Sequence, residues 1–145
     1  MIPFAARFIS RGDLDLFAKI ERAVKHMADP DLGINESGEP IIVSCHIMAR
    51  AVVRVFPSLR VKDGRYVQSY EHSWIETPDG NLIDVYPVAV VGGPIMLVGG
   101  EDSPQSRLYT TLSAREVSGG RFGKNSFRRS VLRVARALRK APEFL

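Results

Sequence analysis

The stretch Tyr66 to Pro87, YVQSYEHSWIETPDGNLIDVYP, constrains the fold more than any other part of the chain. Two alternating runs flank Thr77-Pro78-Asp79-Gly80, where Pro78 pre-sets the first central position of a type I turn and Gly80 accepts the left-handed conformation that follows. A β-hairpin is predicted, with a three-residue loop that pairs Thr77 with Asn81, Trp74 with Asp84 and His72 with Tyr86. His72 and Asp84 then share one face, one diagonal step apart, at roughly 7 to 8 Å between backbones. A slip of two residues would set them directly opposite each other. A slip of one would move Asp84 to the other face.

The only cysteine, Cys45, lies upstream. Ser44 is a plausible N-cap for a helix running to about Phe56 and stopped by Pro57, which puts Cys45 in the first turn. Cys45, Met48, Val52 and Val55 follow the spacing of one buried stripe, with Arg50 and Arg54 turned away from it. A thiol attacks a carbonyl as its thiolate, and an unperturbed pKa of about 8.5 leaves only a few per cent ionised at neutral pH. A helix N-terminus and an adjacent imidazolium both favour the anion, and an aspartate can orient the imidazole. Cys45, His72 and Asp84 fit the three roles. The same cysteine pattern also describes a small buried hydrophobe.

The order Cys45, then His72 followed by Ser-Trp-Ile, then Ile-Asp-Val-Tyr-Pro resembles the core of the transglutaminase-like superfamily, a branch of papain-like cysteine enzymes, over roughly residues 41 to 90. The resemblance implies Cys45 as nucleophile, His72 as general base and then acid, Asp84 as orienter, and Trp74 as a packing residue beside the site. It implies a single transglutaminase-like domain over residues 1 to 145. The reaction would be thiol-dependent acyl chemistry on a protein or peptide substrate, ending in hydrolysis or in transfer to an amine, with no cofactor. No glutamine stands just upstream of Cys45 to donate to an oxyanion. Backbone N–H groups near Cys45 are the expected donors, with Asn35 or Tyr70 in support.

His46 adjoins the cysteine but leaves the helix about 100° away from it, and is read as a surface neighbour or one step removed from the site. His26 is expected to be exposed or structural. Cys45, His72 and Asp84 could in principle bind zinc, but the close ligand pairs usual in zinc proteins are missing, so no metal is expected.

The rest of the chain is read as α+β, an antiparallel sheet packed on the helix that carries Cys45. An amphipathic helix is predicted over 13 to 28 with Asp13 as cap, ended by Asp29-Pro30, followed by a loop over 30 to 40. A strand over Leu59 to Lys62 leads to a turn at Asp63-Gly64. Further strands are predicted around Ile95 to Val98 and Arg107 to Leu112, with loops at 99 to 106 and a turn at Ser118-Gly119-Gly120. A final helix spans Ser126 to Lys140, with Phe127, Val131, Val134, Ala135 and Leu138 on one side.

Charge is uneven. Residues 121 to 145 hold eight Arg/Lys and one Glu, while the other 120 residues hold twelve Arg/Lys and fifteen Asp/Glu, so a formal net charge of +4 conceals a basic tail on an acidic body. Arg128, Arg129 and Arg133 form either a solvated helix face or a surface for nucleic acid or an acidic protein. The second reading supports an alternative function, an inactive binding module of the same fold. One cysteine makes no intrachain disulfide, no apolar run is long enough to span a bilayer, and the start is too interrupted by Arg7 and Arg11 to form a signal core. A cytoplasmic protein without membrane association is therefore expected.

Overall fold

A computed structural model describes residues 9–27, 37–38, 43–85, 94–99, 104 and 106–144. Among them are four α-helices, α1 (Arg11–His26), α2 (Cys45–Val55), α3 (Ala114–Ser118) and α4 (Asn125–Leu138), and five strands, β1 (Arg60–Tyr66), β2 (Tyr70–Glu76), β3 (Leu82–Asp84), β4 (Ile95–Leu97) and β5 (Tyr109–Leu112). The strands form one sheet in the order β4-β3-β2-β1-β5, every pairing antiparallel. The fold is α+β, as expected. Asn35, Tyr86, the end of the first predicted helix and most of the 30 to 40 and 99 to 106 loops lie outside the described residues.

The two faces of the sheet have different tasks. Val61, Asp63, Ser73, Ile75, Ile83 and Met96 alternate onto the face covered by α1, α2 and α4. There Phe17, Ile20, Ala49, Val52, Val134 and Leu138 join Ile75, Ile83 and Met96 in one buried core. The opposite face carries Lys62, Gly64, Tyr66, His72, Trp74, Leu82, Asp84, Leu97 and Tyr109, by the same alternation and the observed register. Trp74, Leu82 and Leu97 form a second, smaller core there with Tyr109 against it.

The hairpin has its predicted register. Ile75 pairs with Ile83 and Glu76 with Leu82, Thr77 N–H donates to the Asn81 carbonyl at 2.9 Å, and Gly80 N–H to the Thr77 carbonyl at 3.0 Å. Gly80 has φ +82, the left-handed conformation that the turn demands. The loop is also held from outside. Asp13, 1% exposed, accepts from the Thr77 hydroxyl and from Asn81 Nδ2 at 2.8 Å. Asp13 is therefore not the helix cap. Ser10 fills that position, its hydroxyl accepting from the Asp13 N–H, and α1 begins two residues earlier than predicted.

Asp63-Gly64, predicted as a turn, lies inside β1 and forms none. The glycine answers a different need: a Cβ there would stand 1.8 Å from the Thr110 carbonyl oxygen and 2.8 Å from Trp74 Cη2. Its missing side chain lets β5 approach and lets Trp74 lie across β1. The real turn follows Tyr66, where Val67 (φ 53) and Gln68 (φ 60) both adopt the left-handed region and Ser69 N–H reaches the Tyr66 carbonyl. This is the turn type whose twist suits a hairpin, made without glycine or asparagine.

α2 starts and stops as its sequence indicates, while α4 starts one residue earlier and ends two residues sooner than predicted. Ser44 caps α2 through the Ile47 N–H. α4 buries Val134, Ala135 and Leu138, with Phe127 and Val131 half-buried. The predicted strands near Ile95 and Arg107 appear as β4 and β5, the second shortened by a single 3-10 turn at Ser106–Leu108. The short helix α3 was not anticipated. It is set by a capping box, Ser113 and Glu116 bonding each other's backbone, and ended by Gly119 in the left-handed conformation. Among the described residues no helix is long and apolar enough to cross a membrane.

Candidate active site

Cys45 is the first residue of α2 and 7% exposed. β2 and β3 pair at Ile75 and Glu76, and β3 ends at Asp84. Thr77 N–H points toward β3, so alternation sends the Ser73 N–H to the same edge. There the Ser73 amide donates a hydrogen bond to Cys45. The cysteine thus sits where two strands diverge, at the N-terminus of a helix whose first amides have no carbonyl within the helix to receive them.

His72 and Asp84 meet as the hairpin register requires. His72 Nε2 lies 2.7 Å from Asp84 Oδ2, both side chains buried. With Nε2–H given to the carboxylate, Nδ1 is the nitrogen left for Cys45, and the two residues share a hydrogen bond. Tyr109 adds a second donor: its Oη–H reaches Asp84 Oδ2 at 2.7 Å. Burial and the Asp84 charge push the Tyr109 pKa far up, so it remains a donor. Trp74, 4% exposed, packs on both rings, 6.2 Å from His72 and 5.1 Å from Tyr109 between centroids.

His46 departs from the sequence reading. Adjacent helical side chains do diverge by about 100°, yet the imidazole is long enough to fold back, and it hydrogen-bonds Cys45. Its Nδ1 lies 2.7 Å from Ser73 Oγ. The Ser73 hydroxyl donates to Asp63 Oδ1 at 2.5 Å, so its oxygen is an acceptor toward His46, which fixes the proton on Nδ1. Asp63 in turn receives two bonds from Arg50 Nη2, at 3.0 and 2.8 Å. Arg50, on the helix face turned away from the buried stripe, is half-buried and clamps this chain through Asp63.

The thiol therefore faces two imidazoles and a backbone amide. Burial alone would push Cys45 up, but hydrogen bonds from His46 and His72, the His46 charge and the Ser73 N–H outweigh it and bring the pKa from 9.0 down to about 6. Burial would lower His72, but Asp84 and Cys45, by hydrogen bond and by charge, raise it to about 9. Between those values the favoured state is thiolate and imidazolium, titrating as a coupled pair.

The remaining expected site residues are placed differently. Tyr70 is 68% exposed at the start of β2, so it is not enclosed with Cys45; Tyr109 is the phenol that joins the site. Asn35 lies outside the described residues. Trp74 and Tyr109 also wall a cavity of about 300 Å³ on the same sheet face, with Lys62, Glu76 and Arg107 at its rim. His26 is exposed. Among the described residues no group of three or more His, Cys, Asp or Glu side chains is placed to hold a metal ion.

No protein-family model, curated protein or solved structure matches this chain.

Proposed function

We propose that the protein is a thiol-dependent acyl-transfer enzyme of transglutaminase-like, papain-like type, with Cys45, His72 and Asp84 as its triad. The observation that carries this reading is the unbroken buried chain from thiol to imidazole to carboxylate, with His72 Nε2 on Asp84 at 2.7 Å and the Cys45 thiol drawn down to about 6.

The chemistry follows from the placement. The Cys45 thiolate attacks an amide or ester carbonyl carbon, forming a C–S bond and an oxyanion. The Cys45 backbone N–H and its neighbours at the start of α2 are the donors for that oxygen. His72 Nδ1–H then protonates the leaving nitrogen or oxygen as its bond to carbon breaks, giving a thioester. Neutral His72 next takes a proton from water or an amine, which attacks the thioester and releases the thiolate. Asp84 holds the imidazole through both steps and stabilises its cationic form. Tyr109, bonded to the same carboxylate oxygen, keeps Asp84 oriented toward His72.

A peptide-based electrophile, such as an acyloxymethyl ketone, should label the native protein at a single residue. Peptide mapping by mass spectrometry is expected to find the adduct on Cys45 and none in a Cys45→Ala protein. Labelling no faster than that of the urea-unfolded chain would refute a catalytic thiol. Identifying what copurifies with the Cys45→Ala protein then distinguishes a peptide substrate from a small acyl donor.

A further inference from the structure

The face of α2 that carries His46 also carries Arg50 and Arg54, at four-residue steps. Such a stripe drifts by only about 40° per step, so it runs from the thiol toward α4. There it borders a groove of about 430 Å³ whose other wall is formed by Phe122 and by Phe127, Arg128, Val131 and Leu132 of α4. The four apolar residues of that wall are half-buried and the guanidinium groups of Arg54 and Arg128 stand at the exposed rim. Among the described residues no carboxylate lines it. The charge of Arg50 is already engaged by Asp63, whereas α4 carries four arginines and no acidic residue.

The groove adjoins the site through Phe122. The Phe122 ring lies 4.9 Å from that of His46, and the Arg50 guanidinium covers it at 3.9 Å. We propose that this groove binds an acidic segment of the peptide substrate, with carboxylates on Arg54 and Arg128 and an apolar side chain against Phe127, Val131 and Leu132. The proposal rests on the reading of Cys45 as an acyl-transfer nucleophile. Arg50 and Arg54 follow Cys45 by five and nine residues, about 7.5 and 13.5 Å along the helix at 1.5 Å per residue. An extended peptide covers that distance at about 3.3 Å per residue. A carboxylate on Arg54 thus falls about four positions from the scissile carbonyl.

A nucleic acid fits the groove less well. Stacking would need free ring faces, but Phe122 is occupied by His46, Arg50 and Phe127, the last at 4.9 Å. Arg129 and Arg133, which the sequence grouped with Arg128, are exposed but do not line the groove.

The test uses the full chain with Cys45→Ala and a fluorescein-labelled peptide of alternating glutamate and leucine, followed by anisotropy at low and at raised salt. Saturable, salt-sensitive binding is expected, weakened tenfold or more by Arg54→Glu with Arg128→Glu, and absent for a lysine–leucine peptide. Binding that ignores the charge reversal, no binding at low salt, or an oligothymidylate that binds in preference to the peptide would each overturn the proposal. Iodoacetamide alkylation of the unmodified protein reports the thiol separately. An inert thiol with charge-dependent peptide binding would remove the catalytic reading and leave the groove, and a reactive thiol without peptide binding would remove the groove alone.

Discussion

In a His72→Ala protein the pH midpoint of Cys45 alkylation is expected to move up from about 6 by about one unit or more, because the thiolate loses a hydrogen-bond donor and a neighbouring positive charge. The sign is fixed by which form is charged: removing a cation disfavours the thiolate and shifts ionisation to higher pH. His46 and the Ser73 amide remain, so the thiol does not return fully to its ordinary value. The rate at pH 7 is a weaker readout than the midpoint. A more basic thiolate is intrinsically more nucleophilic, with a Brønsted slope of about 0.4 to 0.5, so a one-unit shift raises its reactivity about threefold and outweighs the roughly twofold loss of thiolate at pH 7. Cleavage of an unactivated peptide bond has no such offset. It also needs the imidazolium to protonate the leaving amine, and is expected to fall by about 10²- to 10⁴-fold. An unchanged midpoint, measured by iodoacetamide kinetics across pH, would show that His72 does not act on the thiol.

Asp63→Ala is expected to destabilise the protein by about 3 kcal/mol, because it strips the acceptor from a largely buried Arg50 and from the Ser73 hydroxyl together. At this chain length that corresponds to about 10 °C in Tm. Urea unfolding should show the midpoint falling with little change in slope. The effect extends to the site. With Asp63 gone, the Ser73 hydroxyl loses the acceptor that orients it, and the hydrogen bond that positions His46 beside Cys45 is no longer fixed. A loss well under 1 kcal/mol would mean that Arg50 and Asp63 behave as an ordinary surface pair.

The parts of this arrangement legible in the sequence are those set by local rules. The Thr77-Pro78-Asp79-Gly80 turn fixes parity, and parity fixes the meeting of His72 with Asp84. Ser44 followed by an apolar stripe fixes the start of α2 and hence the position of Cys45. The parts not legible depend on packing between segments far apart in the chain. Asp63-Gly64 carries turn residues, yet the glycine is required by Thr110 and Trp74 and the aspartate by Arg50. The true turn uses Val67 and Gln68, residues that give no turn signal. Tyr109 reaches Asp84 only because β5 docks on β1, a pairing that nothing local in 109 to 112 announces. His46 meets Cys45 because an imidazole is long enough to fold back across the about 100° between adjacent helical positions, which helix angle alone does not convey.

The central claim is that Cys45 is held as a thiolate against a protonated His72. It is tested most directly by the second-order rate of iodoacetamide alkylation of the native protein from pH 4.5 to 10, with the urea-unfolded chain as reference. The expected profile rises through about pH 6, stays high, and changes again near pH 9 as His72 loses its proton. A single rise near pH 8.5 to 9, the same folded and unfolded, would contradict it.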